Sequence, residues 1–236
     1  MPVLCMKFAA PMQSWGGSDT FDDRSTEREP TKSGVLGVMC AALGLKRWDI
    51  PVELTDLRLG VRVDREGLPL IDFQTVGGGN LPDGNPYGVY VSSEENLTKA
   101  NAEKRKLIRR KAYLCDAAFL VCLEDCQPGG ANRLHGLLEV LRRPRWPLYL
   151  GRRCCPPSCE IGLSVMDNSE LEDALRDHPW LDEHSDRERP SDLRVIREVV
   201  SASADRRFDQ PISGVKRGFG FRFVTEYYVS VPEVTP

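Results

Sequence analysis

Arginines, lysines and aromatic rings are the residues of this chain whose types and spacing suit chemistry, and the chemistry they suit is the holding of a polyanion. Between Gln13 and Gly44 a glycine turn carries an indole, Trp15-Gly16-Gly17, and a polar loop with Arg24, Arg28 and Lys32 follows. Gly34 falls in the first turn of an expected helix, where free backbone N–H groups attract anions such as phosphate. A second block holds Lys99, Lys104, Arg105, Lys106, Arg109, Arg110 and Lys111, with Glu103 the lone acid among them. A third, Pro144–Ser158, sets Arg145, Trp146, Tyr149, Arg152 and Arg153 among prolines. Guanidinium and aromatic groups together suit single-stranded RNA, by stacking and phosphate contact.

Each block also has a plainer reading, as a solvated face or as a loop with its aromatics tucked into the core. For the second block that reading is weaker, because the acids that interleave along an exposed helix are missing. The formal net charge of −3 does not advertise a nucleic-acid binder, but the charge is unevenly placed: acids dominate from Asp167 to Asp192. Separated blocks suggest one face for phosphates and another for solvent or a basic neighbour. Near the C-terminus, Lys216-Arg217-Gly218-Phe219-Gly220-Phe221 begins like an RNA-recognition RNP1 motif, then departs from it at Arg222 and Val224.

Chemistry that cuts RNA without a metal needs a base for the 2′-hydroxyl and an acid or cation at the leaving oxygen. The histidines are His135, His178 and His184, none with an evident acid–base partner. His135 adjoins an apolar helical stripe and reads as packed or capped, the other two as surface residues. Cys122 and Cys126, with Cys155 and Cys159, could by spacing supply four zinc ligands. The alternative is that all eight cysteines are reduced thiols, most of them small hydrophobes in apolar runs.

The elements that must position these residues follow from periodicity. Val3–Ala9 reads as a strand. A helix follows Pro30, capped by Thr31 or Ser33, with an apolar stripe Val35, Leu36, Val38, Met39, Ala42, Leu43 and a small face Gly34, Gly37, Cys40, Ala41. That small face admits either a ligand or tight packing on both sides. Leu57–Val63 alternates as a half-buried strand whose Arg58 and Arg62 share a face, more readily toward water than RNA. Leu70–Val76 is expected to return as its partner after a turn at Arg65-Glu66-Gly67. A turn-rich segment opens at Gly77, and Thr98–Arg110 reads as a weak basic helix. The apolar run from Ala112 to Glu124 suits a central strand, with Asp116 structural, and Leu134, Leu137, Leu138 and Leu141 mark a second helix. A short acidic helix is expected after Asp167, and strands at Leu193–Val200 and through Phe221, Phe223, Tyr227 and Val229. The order is β-α-β-β-α-β, the ferredoxin-like pattern. With 236 residues and 41% hydrophobic content the chain has room for one large or two small domains. It shows no run of about 18 apolar residues and no secretory signal, so no membrane contact and a cytoplasmic location are expected.

Three motifs carry a resemblance. Pro11, Gln13, Ser14, Trp15 and Gly16 lead into Arg28-Glu29-Pro30-Thr31-Lys32-Ser33-Gly34-Val35 and Gly37; Arg110-Lys111-Ala112-Tyr113-Leu114-Cys115-Asp116 leads to Phe119; and Tyr149-Leu150-Gly151-Arg152-Arg153 leads to Cys155-Pro156-Pro157-Ser158. In order and spacing they resemble the CasD family, the Cascade subunit of type I-E CRISPR systems within the RAMP superfamily of RRM-like, RNA-binding Cas proteins. The resemblance implies an α+β fold: a ferredoxin-like/RRM-like (RAMP) domain at 1–150, a long basic thumb inserted at about 77–111, and a smaller C-terminal β-rich part at 151–236. It implies a non-catalytic subunit, without metal or cofactor, that holds the 5′ handle of crRNA. The handle pocket would use Gln13, Ser14, Trp15, Arg24, Arg28, Thr31, Lys32, Ser33 and Gly34 with Arg145, Tyr149, Arg152, Arg153 and Ser158. The thumb, with Lys104, Arg105, Arg109, Arg110 and Lys111 and the adjoining Tyr113, would grip the first guide nucleotides. Implied partners are the backbone subunit CasC and the large PAM-reading subunit CasA, with target DNA met indirectly. The alternative is a metal-independent endoribonuclease of the type I-C kind with Lys111 and Tyr113 as site remnants; the Lys-His pair such relatives lead one to expect is here Lys111-Ala112.

Overall fold

The computed structural model describes residues 1–16, 23–46, 49–76, 89–90, 104–105, 107–182, 186–201, 203–213 and 218–232. In chain order the elements are β1 (Val3–Ala9), β2 (Met12–Gln13), β3 (Asp23–Arg24), α1 (Lys32–Leu43), α2 (Val52–Thr55), β4 (Arg58–Arg65), β5 (Leu68–Val76), β6 (Val89–Tyr90), β7 (Lys104–Arg105), β8 (Leu107–Cys115), β9 (Ala118–Glu124), α3 (Gly130–Arg142), β10 (Gly162–Met166), α4 (Leu171–Asp177), β11 (Asp192–Val199), β12 (Asp205–Pro211) and β13 (Phe219–Ser230).

Apolar alternation on both faces of the central strands dictates a sheet covered on both sides. β9 is buried at every position. Its Phe119, Val121 and Leu123 join Leu4, Met6 and Phe8 of β1 and Leu59, Val61 and Val63 of β4 in one core, roofed by α1 and α3. Its Leu120 and Cys122 turn the other way, with Val3, Cys5 and Val195, toward Leu171, Ala174 and Leu175 of α4. Gly60 allows that second approach: a Cβ there would stand 2.6 Å from the Leu175 side chain.

The large sheet has the order β10-β1-β9-β4-β11-β13-β12, antiparallel at every pairing. Its first part, β10-β1-β9-β4 with α1 after β1 and α3 after β9, is the ferredoxin-like arrangement expected from the order of elements. β10 lies beyond residue 150, and the C-terminal strands extend the same sheet rather than building another.

Four local expectations are corrected. Leu70–Val76 does not return along β4: the chain passes from β4 into β5 and leaves the sheet, and β5 pairs with β8 from Leu68↔Cys115 to Val76↔Leu107. Together, with the two-residue strands β2 and β3 along β8, they form a second sheet that prolongs the β4–β9 pair as an arm. Alternation identified the strand but carries no information on its partner. The basic segment ending at Arg110 is not a helix where it is described: Lys104–Arg105 pairs with Val89–Tyr90 and residues from Leu107 belong to β8, while 98–103 lie outside the described residues. The apolar run 112–124 is two strands, broken where Asp116 takes φ 58°. Finally, Arg62 faces neither water nor RNA. It is fully buried beneath α4, donating to Asp64 Oδ1 and Oδ2 at 2.8 Å and to the carbonyls of Leu175, His178 and Pro179. A buried guanidinium is tolerable only with such a complete set of acceptors.

Candidate nucleic-acid interface

α1 begins as expected, with Thr31 Oγ1 accepting from the Gly34 N–H at 3.3 Å. Its first turn is otherwise occupied from within. Asp209 of β12 accepts from the Lys32 backbone N–H at 2.7 Å while Arg222 holds both its oxygens, at 2.6 and 2.9 Å. The Lys32 ammonium is buried and donates to Glu198 at 3.0 and 3.1 Å; burial pushes its pKa down, against the pull of Glu198. The adjoining cleft, about 100 Å³, is lined by Glu27, Glu29 and Asp209 as well as Arg207 and Arg222. Glu29 is ion-paired with Arg194 at 3.2 Å and Arg207 at 3.1 Å. A protein carboxylate therefore sits where the sequence suggested a phosphate.

The motif before α1 is internal. Gln13 donates through Nε2 to the carbonyls of Ala117, at 2.8 Å, and Phe8, at 3.2 Å. The Ser14 hydroxyl donates to the Ala112 carbonyl at 3.1 Å, and its N–H to Leu150 at 3.2 Å. Trp15 is fully buried and stacks on Phe8, ring centroids 5.6 Å apart. Gly34 leaves room for it: a Cβ there would stand 2.8 Å from the indole. Cys40 and Ala41 are buried as well, so the small face of α1 packs tightly, with Gly37 exposed. A base stacking on Trp15 would first have to displace the indole from the core.

The cations and aromatics that do meet form a cluster beside β8. Alternation along β8 puts Arg109, Lys111 and Tyr113 on one face. The Arg152 guanidinium lies 4.6 Å from the Tyr113 ring centroid, a cation–π contact. Its Nη2 donates to the Arg24 carbonyl at 3.3 Å, and its Nη1 is buried with no hydrogen-bond acceptor. Arg24, on β3, runs parallel to β8 and alongside Lys111. Its side chain and that of Arg153 are exposed and form no ion pair among the described residues. The Tyr113 hydroxyl lies 3.6 Å from Cys154 Sγ, and burial pushes its phenol pKa up. Further along the arm, Lys111 donates to Gln74 Oε1 at 2.8 Å, Arg110 lies 5.6 Å from the Phe73 ring, and Arg109 is exposed. Arg28, also exposed, pairs with Glu66 at 3.2 Å.

The loop 144–158 does not line one pocket: it meets the C-terminus of α1 at one end and Ser14, Arg24 and Tyr113 at the other. Arg145 and Trp146 donate from their backbone N–H groups to Ala42 and Ala41 at the helix C-terminus, and the Arg145 side chain lies against Gly44. Over the length of α1 this is about 15 Å or more from Thr31. Tyr149 is half-buried, Ser33 likewise, and Ser158 is exposed with its N–H on the Ala9 carbonyl. The backbones of Lys104 and Arg105 form β7. Sequence reasoning missed Cys154 and Gln74 as neighbours of Tyr113 and Lys111, and Asp209, Glu198 and Arg222 as partners of the α1 N-terminus. The alternation of β5 hinted at Gln74; the others come from segments remote in sequence and carried no local signal.

The described histidines sit elsewhere. His135 is exposed, 3.0 Å from Asp167, neither packed nor capping. His178 is half-buried, and burial pushes its pKa down. His184 lies outside the described residues. Cys122 is a core residue as expected, 3.8 Å from Cys5. No helix among the described residues is long and apolar enough to cross a membrane.

The ferredoxin-like sheet, the basic arm and the Arg–Tyr cluster at its root place the chain in the ferredoxin-like α+β class, and comparison gives the family. The family profile described as CRISPR-associated protein (Cas_Cas5) matches residues 3–225, and the chain belongs to this family. It is 31% identical over 175 residues to the CRISPR system Cascade subunit CasD of Escherichia coli (strain K12), covering 73% of this chain and 75% of the relative. A solved structure titled Crystal structure of Cas protein superposes with TM-score 0.72 at 33% identity, covering 99% of this chain and all of the other. A chain of a CRISPR RNA-guided surveillance complex superposes with TM-score 0.66 at 26% identity, covering 98% and 91%. The fold is accordingly of the RAMP type.

Proposed function

We propose that this chain is a non-catalytic crRNA-binding subunit of a type I-E Cascade that holds the 5′ handle and caps the backbone subunits in antiviral interference. The observation that carries the reading is the Arg152 guanidinium, spread on the Tyr113 ring with a buried, unpartnered Nη1 and flanked by the exposed Arg24 and Arg153. A phosphate supplies the missing acceptor and a base the stacking surface. The arm, with the thumb at about 77–111, follows the first guide nucleotides and docks on CasC, while CasA lies near the handle and target DNA is met through the complex. The RRM-like part, completed by β10 beyond residue 150, and the β-rich C-terminal extension of its sheet act together in a cytoplasmic ribonucleoprotein.

The second reading is a type I-C-like endoribonuclease acting through Tyr113 and Lys111. Against it, the Tyr113 phenol is pushed away from ionisation at neutral pH, and the described histidines lie at Asp167 and Pro179, not beside Tyr113. The experiment is to incubate the purified protein, without metal, with its own repeat RNA and with the mature 5′-handle RNA. Handle binding with both RNAs intact is expected. Cleavage at the base of the repeat hairpin, lost in Tyr113→Phe, overturns the binding reading.

A further inference from the structure

The two faces of the large sheet are unequally covered. α1 and α3 roof one face. On the other, α4 packs against β1, β4, β9 and β11, and among the described residues no helix covers the far end of β12 and β13 on this face. Phe208 and Phe221 are 54% and 61% exposed there, large values for phenylalanine. Their ring centroids lie 4.8 Å apart, and Phe219 adds an edge contact to Phe208 at 6.4 Å. Arg206 lies 5.9 Å from the Phe223 ring, is exposed and forms no ion pair among the described residues.

Pairing explains the sorting. Arg206 stands opposite Phe223, whereas Asp205 stands opposite the buried Val224 and Arg207 opposite the buried Arg222. A break in register after Arg207 then swings Phe208 against Phe219 and Phe221. Phe208 also borders the cleft that holds Asp209 and Glu29, but both acids are ion-paired, to Arg222 and to Arg207 and Arg194. What remains is a patch of rings edged by a guanidinium, its nearest strand acids neutralised by these pairs.

We infer that the Phe208–Phe219–Phe221 patch with Arg206 is a second nucleic-acid site, stacking bases of a single strand on the sheet face that α4 leaves open, separate from the Tyr113–Arg152 cluster. Rings at two-residue spacing along one strand face, with a cation beside them, match stacked bases and their phosphates. The occupant is single-stranded RNA or DNA.

The test uses the full chain in an Arg152→Ala background, so that binding at the first cluster is suppressed. Fluorescein-labelled oligo(U) and oligo(dT) 12-mers are titrated by anisotropy, and 5-iodouridine 12-mers are photocrosslinked and mapped. The expected result is residual binding that falls about 5-fold to 100-fold in Phe208→Ala/Phe221→Ala, the loss of one stacked base. Phe208→Tyr/Phe221→Tyr retains it, Arg206→Glu weakens it, and crosslinks fall in β12–β13. The oligo(U) and oligo(dT) arms tell RNA from DNA. Abolition of all binding by Arg152→Ala alone overturns the proposal while leaving the handle reading intact. Unchanged oligonucleotide binding in Phe208→Ala/Phe221→Ala, with loss of co-purification with other Cascade subunits, also overturns it and assigns the patch to protein docking.

Discussion

Gly151 lies so close to Ser14 that a Cβ at Gly151 would stand 1.6 Å from the Ser14 carbonyl oxygen. Gly151 also has φ +88°, a region that side chains avoid. The two motifs that flank α1 in space, remote in sequence, are therefore one unit, further tied by the Ser14 N–H to the Leu150 carbonyl. Gly151 fixes where the next residue, Arg152, emerges beside Tyr113.

Gly151→Ala should accordingly cost several kcal/mol, from backbone strain of about 1–2 kcal/mol and a backbone clash that no rotamer relieves. Urea unfolding checks this. A loss under about 0.5 kcal/mol would mean that the Ser14–Gly151 approach is far softer than drawn.

Arg152→Ala should weaken handle-RNA binding by about tenfold or more with little change in stability, since it removes a charge-assisted hydrogen bond of roughly 1.5–3 kcal/mol. Arg152→Lys should recover only part, because an ammonium cannot lie flat on Tyr113 while donating sideways. Affinities at fixed salt decide it; full rescue by lysine would reduce the role to charge alone.

Arg24→Ala and Arg153→Ala should each lower the salt dependence of handle binding, by about 0.7 in the slope of log K against log salt for each phosphate that is no longer neutralised. Titrations across a salt series measure this, and unchanged slopes would remove both residues from the interface.

Lys32→Ala should act on stability rather than on RNA. Removing one partner of a buried pair costs roughly 3–5 kcal/mol, here by leaving Glu198 unpaired beside the Asp209–Arg222 couple. Denaturation shows the loss directly. A variant that is fully stable yet binds RNA poorly would instead return Lys32 to the interface.

Glu66 makes the fold acid-sensitive. Burial raises its carboxyl pKa, but Arg194 and then Arg28 outweigh that and hold it below its ordinary value. A depressed folded pKa gives stability that is present above the ordinary carboxylate range and disappears as pH falls through the folded value. Glu66→Gln should therefore be less stable than wild type at neutral pH, with the gap closing below about pH 4. Urea midpoints from pH 7 to 3 test it; a constant gap would place the effect outside this ion pair.

Much of the frame was legible because its signals are local. The Thr31 cap, the leucine stripe of α3 and the unbroken apolar run of β9 each identify an element without reference to its neighbours. Partnership is not local. Nothing around Leu70–Val76 says that β8 rather than β4 lies beside it, and nothing around Arg62 foretells the carbonyls of α4 and its exit. The candidate site divides the same way. Arg152 was legible as a type suited to RNA and Tyr113 through the motif that carries the resemblance, whereas Trp15 and Lys32, equally suggestive, are core residues because Phe8, Gly34 and Glu198 come from elsewhere to enclose them.

The position of β11 between β4 and β13 has a consequence for biogenesis. β4 is synthesised long before β11, so a nascent chain carries a central strand with one ladder of N–H and C=O groups unmet until residues 192–199 arrive. Such late closure gives high contact order and slow completion, during which that open edge can pair with another chain. A truncation that omits β11 would thus favour strand-mediated aggregation over a soluble half-protein.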